Sequence, residues 1–441
     1  MSEASTIFAL SSAPGRAGVA VIRISGPAAQ DALRKMVAPT PKPRVADFRT
    51  IRHPKTAEAL DRAVVLWFAA PLSETGEDVV EFQVHGSRAV VAAILAALAD
   101  IPGCRLAEPG EFARRAFDNG KLDLAQIEGL ADLVEAETDA QRRQALSQAG
   151  GSLSKLYDGW RARLIEIAAL TEAAIDFSDE GDVASSSFAE ARKRAETLHK
   201  EIAAHLDDGH RGEILRDGFR VALLGAPNAG KSSLLNALAR RDAAIVSAEA
   251  GTTRDVVEVR LDLGGLPVIV SDTAGIRDAA SDIEREGIRR SLAAAREADL
   301  VLWLAEKAES IPPLGFSRET SLVIRSKADL PHESVATADF GDLAVSAKTG
   351  AGLDSLIALI KGQARKAVGS QTDPALTQAR HRQALETSLA DIETFLAGSA
   401  DAIELRAEDL RRAAQALGRI TGRVDVEDVL DQIFSRFCIG K

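Results

Sequence analysis

The 441-residue chain carries a formal net charge of −11, with 46% hydrophobic and 27% charged residues. That length exceeds what one hydrophobic core usually supports, so two or three domains of ordinary globular composition are expected. The acidic balance excludes a broad polyanion-binding face, and the two distant cysteines, Cys104 and Cys438, exclude a disulfide framework or a cysteine-rich metal site.

The start, Met1-Ser2-Glu3-Ala4, lacks the basic residues and apolar run of a signal peptide. The longest apolar stretch, Val90 to Ala99, is too short to span a bilayer and reads as a core helix. A soluble, cytoplasmic protein with no membrane span is expected.

From Ile7 to about Phe117, short apolar segments alternate with helical ones. Val19–Ile24, Ala63–Phe68 and Val79–Val84 are rich in β-branched and aromatic residues and predict strands, while Ala28–Val37 and Ala89–Leu98 predict helices. An α+β N-terminal domain, residues 1–118, follows from this pattern. From Asn119 to Arg216 apolar residues recur three and four apart (Leu122, Ile127, Leu130, later Leu198, Ile202, Leu206), the signature of amphipathic helices. The polar stretch Asp179–Ser187 predicts a loop between two of them. The helical texture returns from Thr377 to Phe437. A helical domain in two parts, 119–216 and 369–441, interrupted by an inserted α/β domain at 217–368, is the expected architecture.

The insertion carries the chemistry. Phe219–Leu224 predicts a strand, Ser233–Ala239 a helix, and between them lies Gly225-Ala226-Pro227-Asn228-Ala229-Gly230-Lys231-Ser232. Strand, G-x-x-x-x-G-K-S and helix is the context of a P-loop: backbone N–H groups wrap a phosphate, Lys231 reaches the outer phosphates, and the Ser232 hydroxyl ligates Mg²⁺. Gly251-Thr252-Thr253-Arg254-Asp255 follows, where a threonine hydroxyl suits the Mg²⁺ shell and the terminal phosphate, although alone the segment reads equally as a turn. Two alternating strands, Val257–Leu263 and Pro267–Val270, are joined at Gly264-Gly265 as a hairpin. They lead to Asp272-Thr273-Ala274-Gly275, a carboxylate for a Mg²⁺-bound water and a glycine N–H for the terminal phosphate.

Leu322–Arg325 predicts a buried strand ending in Ser326-Lys327-Ala328-Asp329. Asp329 can accept hydrogen bonds from N1 and N2 of guanine, which adenine does not offer. Ser346-Ala347-Lys348 follows a further strand, with the Ala347 N–H placed to meet guanine O6. These ordered motifs resemble those of Ras-like GTPases, with GTP rather than ATP as the implied nucleotide. Ser326 stands where that group normally has Asn, and a hydroxyl offers fewer hydrogen bonds than an amide.

Ras-like enzymes often orient the attacking water with a Gln after Asp-x-x-Gly; here that position is Ile276, which cannot polarise water. The sequence Asp272-Thr273-Ala274-Gly275-Ile276-Arg277, with Ile283-Glu284 and Gly287-Ile288 beyond it, resembles the MnmE (TrmE) family of tRNA-modification GTPases. The resemblance covers essentially the whole chain: Pro14–Gly26, Thr75-Gly76-Glu77-Asp78, Glu108–Phe117, Lys121–Leu124 and the end, Phe437-Cys438-Ile439-Gly440-Lys441.

The resemblance implies that Glu284 is the catalytic residue, acting through a bridging water when two nucleotide domains pair. It implies K⁺ held by Asn228, the carbonyls of Ser247 and Glu249, and Thr252, with Mg²⁺ on Ser232 and Thr253. The implied GTP-contacting set is Asn228, Ala229, Gly230, Lys231, Ser232, Ser233, Ser247, Thr252, Thr253, Asp272, Thr273, Ala274, Gly275, Lys327, Asp329, Ser346, Ala347 and Lys348. A site for 5-formyltetrahydrofolate or a related tetrahydrofolate is implied at Arg23, Glu81, Lys121 and Lys441, residues that taken singly read as surface charges. Gly86-Ser87 departs from the family, where a second Gly is expected.

The implied function is a homodimeric GTPase forming a heterotetramer with the flavoprotein MnmG (GidA). Together they add an aminomethyl or carboxymethylaminomethyl group to C5 of the wobble uridine of certain tRNAs. A switch GTPase of ribosome assembly would explain the nucleotide motifs equally well, but not the flanking signatures. Cys438 is fourth from the last residue given, as in a prenylation box, but Gly440 is not aliphatic, so no lipidation is expected.

Overall fold

The computed structural model describes residues 5–177, 181–226, 228–241, 243–245, 257–272, 295–307, 320–330, 340–369, 374–399, 402–424, 427–437 and 439–440. The chain divides into two compact units: Met1–Ala131 with Ser154–Asp158 and Gly418–Lys441, and Asp132–Leu153 with Gly159–Leu417.

The first unit is built on a six-stranded sheet ordered β3-β4-β5-β2-β1-β6, formed by β1 (Thr6–Leu10), β2 (Ala17–Ser25), β3 (Asp47–Arg52), β4 (Ala59–Phe68), β5 (Val79–Gly86) and β6 (Cys104–Leu106). Only β1 and β6 pair in parallel. Ile22, Ile24, Val65, Phe82 and Val84 alternate along their strands and pack with Leu33, Ile94 and Leu98 from the helices Ala29–Met36 and Arg88–Ala99. Period-two burial of this kind removes one sheet face from water and fixes the register. The C-terminal segment belongs to this unit: Ile433, Phe434 and Phe437 pack on Ala113, Leu124 and Ile127, and Ile439 bridges to Pro109. Gly440 has φ +103°, and a Cβ there would collide with the Leu10 carbonyl oxygen, so Gly440 sits where only glycine fits.

The second unit combines helices with the inserted α/β domain. Its sheet, ordered β12-β11-β10-β7-β9-β8, comprises β7 (Phe219–Gly225), β8 (Val257–Asp262), β9 (Pro267–Asp272), β10 (Leu300–Ala305), β11 (Ser321–Arg325) and β12 (Leu343–Ala344). All neighbours are parallel except the edge strand β8. Gly264 and Gly265 turn the β8–β9 hairpin with φ of +74° and +88°, as a tight primed turn requires. The sheet lies in sequence between the helices Arg211–Asp217 and Ala379–Ala397, so an α/β domain is inserted into helical sequence, as expected.

Helices from the two sides of the insertion pack together: Phe188 of Gly181–Leu206 meets Phe395 of Ala379–Ala397 edge-on, with centroids 5.9 Å apart, and Arg192 donates to the Leu396 and Gly398 carbonyls. The loop expected at Asp179–Ser187 is corrected here: the helix begins at Gly181 and includes Ser185 to Ser187. Asp182 in its first turn complements the helix dipole, and the apolar face of Phe188, Ala191, Ala195 and Leu198 carries the polar first turns with it. No helix among the described residues is long and apolar enough to cross a membrane.

Candidate functional site

Four loops of the second sheet leave the carboxyl ends of parallel strands: the P-loop after β7, Asp272 at the end of β9, Ser326–Asp329 after β11 and Val345–Lys348 after β12. In open α/β sheets this edge is where ligands bind.

β7 lies between β10 and β9, buried along Val221–Leu224. Gly225 then turns at φ +149°, and a Cβ there would strike the Leu304 carbonyl oxygen. Asn228, exposed, adopts φ +64°, a left-handed conformation that asparagine tolerates. Ala229 is buried beneath the loop, and Gly230 at φ +94° opens the helix Lys231–Ala239. That helix has no side-chain cap and no acidic residue in its first turn, leaving its positive end for an anion. Lys231 donates to the carbonyls of Gly225 (2.8 Å) and Ala226 (3.1 Å). Burial pushes its pKa down, against the opposing pull of the nearby Asp272 carboxylate.

The Ser232 hydroxyl donates to Asp272 Oδ2 at 2.7 Å, joining two oxygen donors brought from β9 and the P-loop helix. Asp272 is 1% exposed. A hydroxyl beside a carboxylate is the hard-oxygen set that Mg²⁺ takes, with remaining positions for water and phosphate. Ser233, on the same first turn, is exposed.

At the base-side loops, Ser346 donates to Asp329 Oδ1 (2.6 Å) while its oxygen accepts from the Thr349 N–H (3.1 Å). The hydroxyl is thereby fixed, and its donated bond holds the exposed Asp329 carboxyl below the usual carboxylate range. Sequence reading treats Ser346 as a nucleotide contact; the structure gives it the further task of orienting Asp329. Lys327 adopts φ +54° and pairs with Glu306 (2.8 Å). Ala328 N–H bonds the Val345 carbonyl, which ties the two loops together. Ala347 is half-buried and Lys348 exposed.

In the first unit, Arg23 on β2 and Glu81 on β5 are directly opposed in the antiparallel register and form an ion pair at 3.0 Å. Arg23 also pairs with Glu74 at 2.7 Å. Glu74 escapes the sequence reading, although it immediately precedes the Thr75-Gly76-Glu77-Asp78 motif. That motif is stapled inward: Ser25 bonds Thr75 (2.7 Å) and Glu77 (2.7 Å), and Arg115 pairs with Glu77 (3.0 Å). Lys121 lies against the motif, its Cε 3.1 Å from where a Gly76 Cβ would stand. Arg23 and Lys121 thus each reach the segment around Glu74–Gly76, and Glu81 joins it through Arg23. Glu284, Ser247, Glu249, Thr252, Thr253, Thr273, Ala274, Gly275, Ile276, Cys438 and Lys441 lie outside the described residues.

The sheet order, the phosphate loop and the carboxylate-bearing loop after β11 define a P-loop GTPase domain carried between helical segments. The MnmE helical-domain family matches residues 124–438, and the "GTP-binding protein TrmE N-terminus" family matches residues 6–121. The tRNA modification GTPase MnmE of Parvibaculum lavamentivorans is 55% identical over 99% of this chain and 100% of its own length. That of Methylobacterium radiotolerans is 52% identical over 100% of both. Among solved structures, the G domain of T. maritima FeoB aligns at 22% identity over 34% of this chain and 98% of that one, with a TM-score of 0.22. The chain belongs to the MnmE family of tRNA modification GTPases.

Proposed function

We propose that this GTPase is K⁺-activated and works as a homodimer. With the flavoprotein MnmG (GidA) it installs the aminomethyl or carboxymethylaminomethyl group at C5 of the tRNA wobble uridine, in the cytoplasm, with a tetrahydrofolate supplying the one-carbon unit. The observation that carries the nucleotide part is the assembly at one sheet edge of Lys231, the Ser232–Asp272 pair and the Ser346–Asp329 pair. Similarity over the full length to MnmE proteins supports the tRNA part. The Arg23–Glu81 pair, with Lys121 against Gly76 two residues from Arg23's other partner Glu74, supports a ligand with carboxylates and ring N–H groups, as a folate has.

Lys231 neutralises charge that builds on the phosphates, and the open helix end at Gly230–Ser233 holds them through backbone N–H groups. Ser232 and Thr253 are the residues that would hold Mg²⁺, with Asp272 accepting from a water of its shell, and the ion would supply positive charge at the phosphates. Asn228, Thr252 and the carbonyls of Ser247 and Glu249 would hold K⁺, which supplies the positive charge an arginine finger gives other GTPases. Glu284 holds the attacking water in line through a bridging water and accepts its proton. Ile276 excludes the glutamine route.

Hydrolysis measured in matched KCl and NaCl buffers tests the cation and dimer reading. GTP turnover is expected to be roughly tenfold or more faster in K⁺, part of what an arginine finger contributes. Equal rates would remove it. Glu284→Ala is expected to bind GTP normally and to lose turnover by about 10²- to 10⁴-fold, the span of a general base. Calorimetry with 5-formyltetrahydrofolate tests the first unit: binding by the wild type and a loss of about tenfold or more in Arg23→Ala are expected, from one charge-assisted contact. A folded wild type that binds no folate would favour a switch GTPase.

A further inference from the structure

Arg23 meets its two carboxylates on different edges of the guanidinium. Nε and Nη2 both lie 3.0 Å from Glu81 Oε1, while Nη1 pairs with Glu74 Oε2 at 2.7 Å. The two carboxylates are held differently. The Glu81 side chain is 15% exposed and stands opposite Arg23 in the β2–β5 register, so the sheet itself fixes that pair. The Glu74 side chain is 45% exposed and reaches Arg23 from the loop joining β4 to β5.

The other carboxylates of that loop belong to the fold. Glu77 takes Ser25 and Arg115, and Asp78 accepts from the Trp67 indole and the Ala70 N–H. Glu74, among the described residues, has Arg23 alone as a side-chain partner. Its backbone is pinned on either side, with Ser73 donating to the Glu77 carbonyl and Asn119 to the Thr75 carbonyl. The Glu74 side chain can therefore leave Arg23 by a change of rotamer, without opening the loop. A partly exposed ion pair contributes little to stability, so the fold loses little when it parts.

We propose that Glu74 is an internal stand-in for the ligand's carboxylate: it occupies the Nη1 edge of Arg23 in the empty protein and swings aside when a carboxylate of the bound folate takes that edge. The inference rests on the reading of Arg23 as a folate contact. The exchange makes Glu74 a residue that sets both affinity and selectivity. Binding must first break the Arg23–Glu74 pair, so the ligand's carboxylate returns only the difference between two ion pairs. The Arg23 side chain is 18% exposed, and an unmatched guanidinium edge in such a place is costly. A neutral group that pushed Glu74 aside would leave that edge unmatched, whereas an anion restores the pair.

Calorimetry of 5-formyltetrahydrofolate binding to the full-length wild type, Glu74→Gln and Arg23→Ala, at low and high NaCl, tests this. Glu74→Gln keeps the shape of the side chain and removes its charge. It is expected to bind about threefold more tightly at low salt, the value of one partly exposed ion pair. That gain is expected to shrink at high salt, because the variant makes a new charge pair on binding where the wild type exchanges one for another. Affinity equal to or weaker than wild type in Glu74→Gln, or a gain that salt leaves untouched, would overturn the role of Glu74. The underlying reading fails in a different way: neither folded wild type nor Glu74→Gln binds, or Arg23→Ala binds as tightly as wild type. If Arg23→Ala loses the ligand while Glu74→Gln matches wild type, only the exchange falls.

Discussion

Lys231→Ala is expected to lower GTP turnover by about 10³-fold while leaving the fold intact, because an isolated positive group at the phosphates supplies roughly that much electrostatic stabilisation. The side chain is 7% exposed and grows from the first residue of the P-loop helix. Burial pushes its pKa down, against the opposing pull of the nearby Asp272 carboxylate, and the ammonium donates to the Gly225 and Ala226 carbonyls. The ammonium is therefore held where phosphate oxygens can replace its carbonyl partners, with little reorganisation. Alanine removes the charge and leaves those carbonyls to solvent. The surrounding core, with Leu223, Leu234, Leu235 and Leu302, does not use the lysine, so circular dichroism and the melting temperature should change little. Steady-state GTP hydrolysis within tenfold of wild type in a folded Lys231→Ala protein would refute the phosphate-loop assignment.

Asp329→Asn is expected to weaken GTP binding by roughly 10²-fold and to make xanthosine triphosphate the better ligand. A site built to pair with specific base N–H groups loses heavily when its own polar atoms face the wrong partner. An ionised carboxylate here offers two acceptors, matching guanine N1–H and N2–H, and Ser346 orients it by donating to Oδ1 at 2.6 Å, a bond that also lowers its pKa. An amide presents one acceptor and one donor; the donor opposes the guanine amino group but matches the 2-oxygen of xanthine. Competition binding of the two triphosphates checks this. Unchanged preference for GTP would mean that the base is read elsewhere.

Much of this arrangement is legible in the sequence because it is local. The P-loop is contiguous, and β7 and the helix Lys231–Ala239 form around it from an apolar strand and a short helical run. The β8–β9 hairpin follows from alternation ending at a Gly-Gly turn. Strands without such punctuation are harder to read. β10, Leu300–Ala305, is buried on both faces and has no alternation to separate it from a core helix turn. β1 is a five-residue run, and β3 reads as polar because it lies at the sheet edge with exposed Phe48 and Arg52 among its residues. The start of the helix at Gly181 is hidden by small polar residues whose helicity is imposed by packing farther along.

The residue pairs that shape the sites are non-local, and spacing alone does not reveal them. Arg23 and Glu81 are 58 positions apart and meet only because β2 and β5 pair in one register. Ser346 and Asp329 meet because β11 and β12 run in parallel and release their loops on the same edge. The burial of Ser326 is a property of packing: the sequence shows a serine where asparagine is usual, and the structure shows that it is buried.

Nucleotide turnover at Lys231, Asp272 and Asp329 is proposed to serve wobble-uridine modification. The most direct test is nucleoside analysis of tRNA from cells lacking this protein, with no redundant enzyme, complemented with wild type or Lys231→Ala. Loss of the C5-aminomethyl and carboxymethylaminomethyl uridines is expected in the deletion, with restoration by the wild type and not by Lys231→Ala. An unchanged modification profile in the deletion would contradict the function, and full restoration by Lys231→Ala would contradict the coupling of hydrolysis to it.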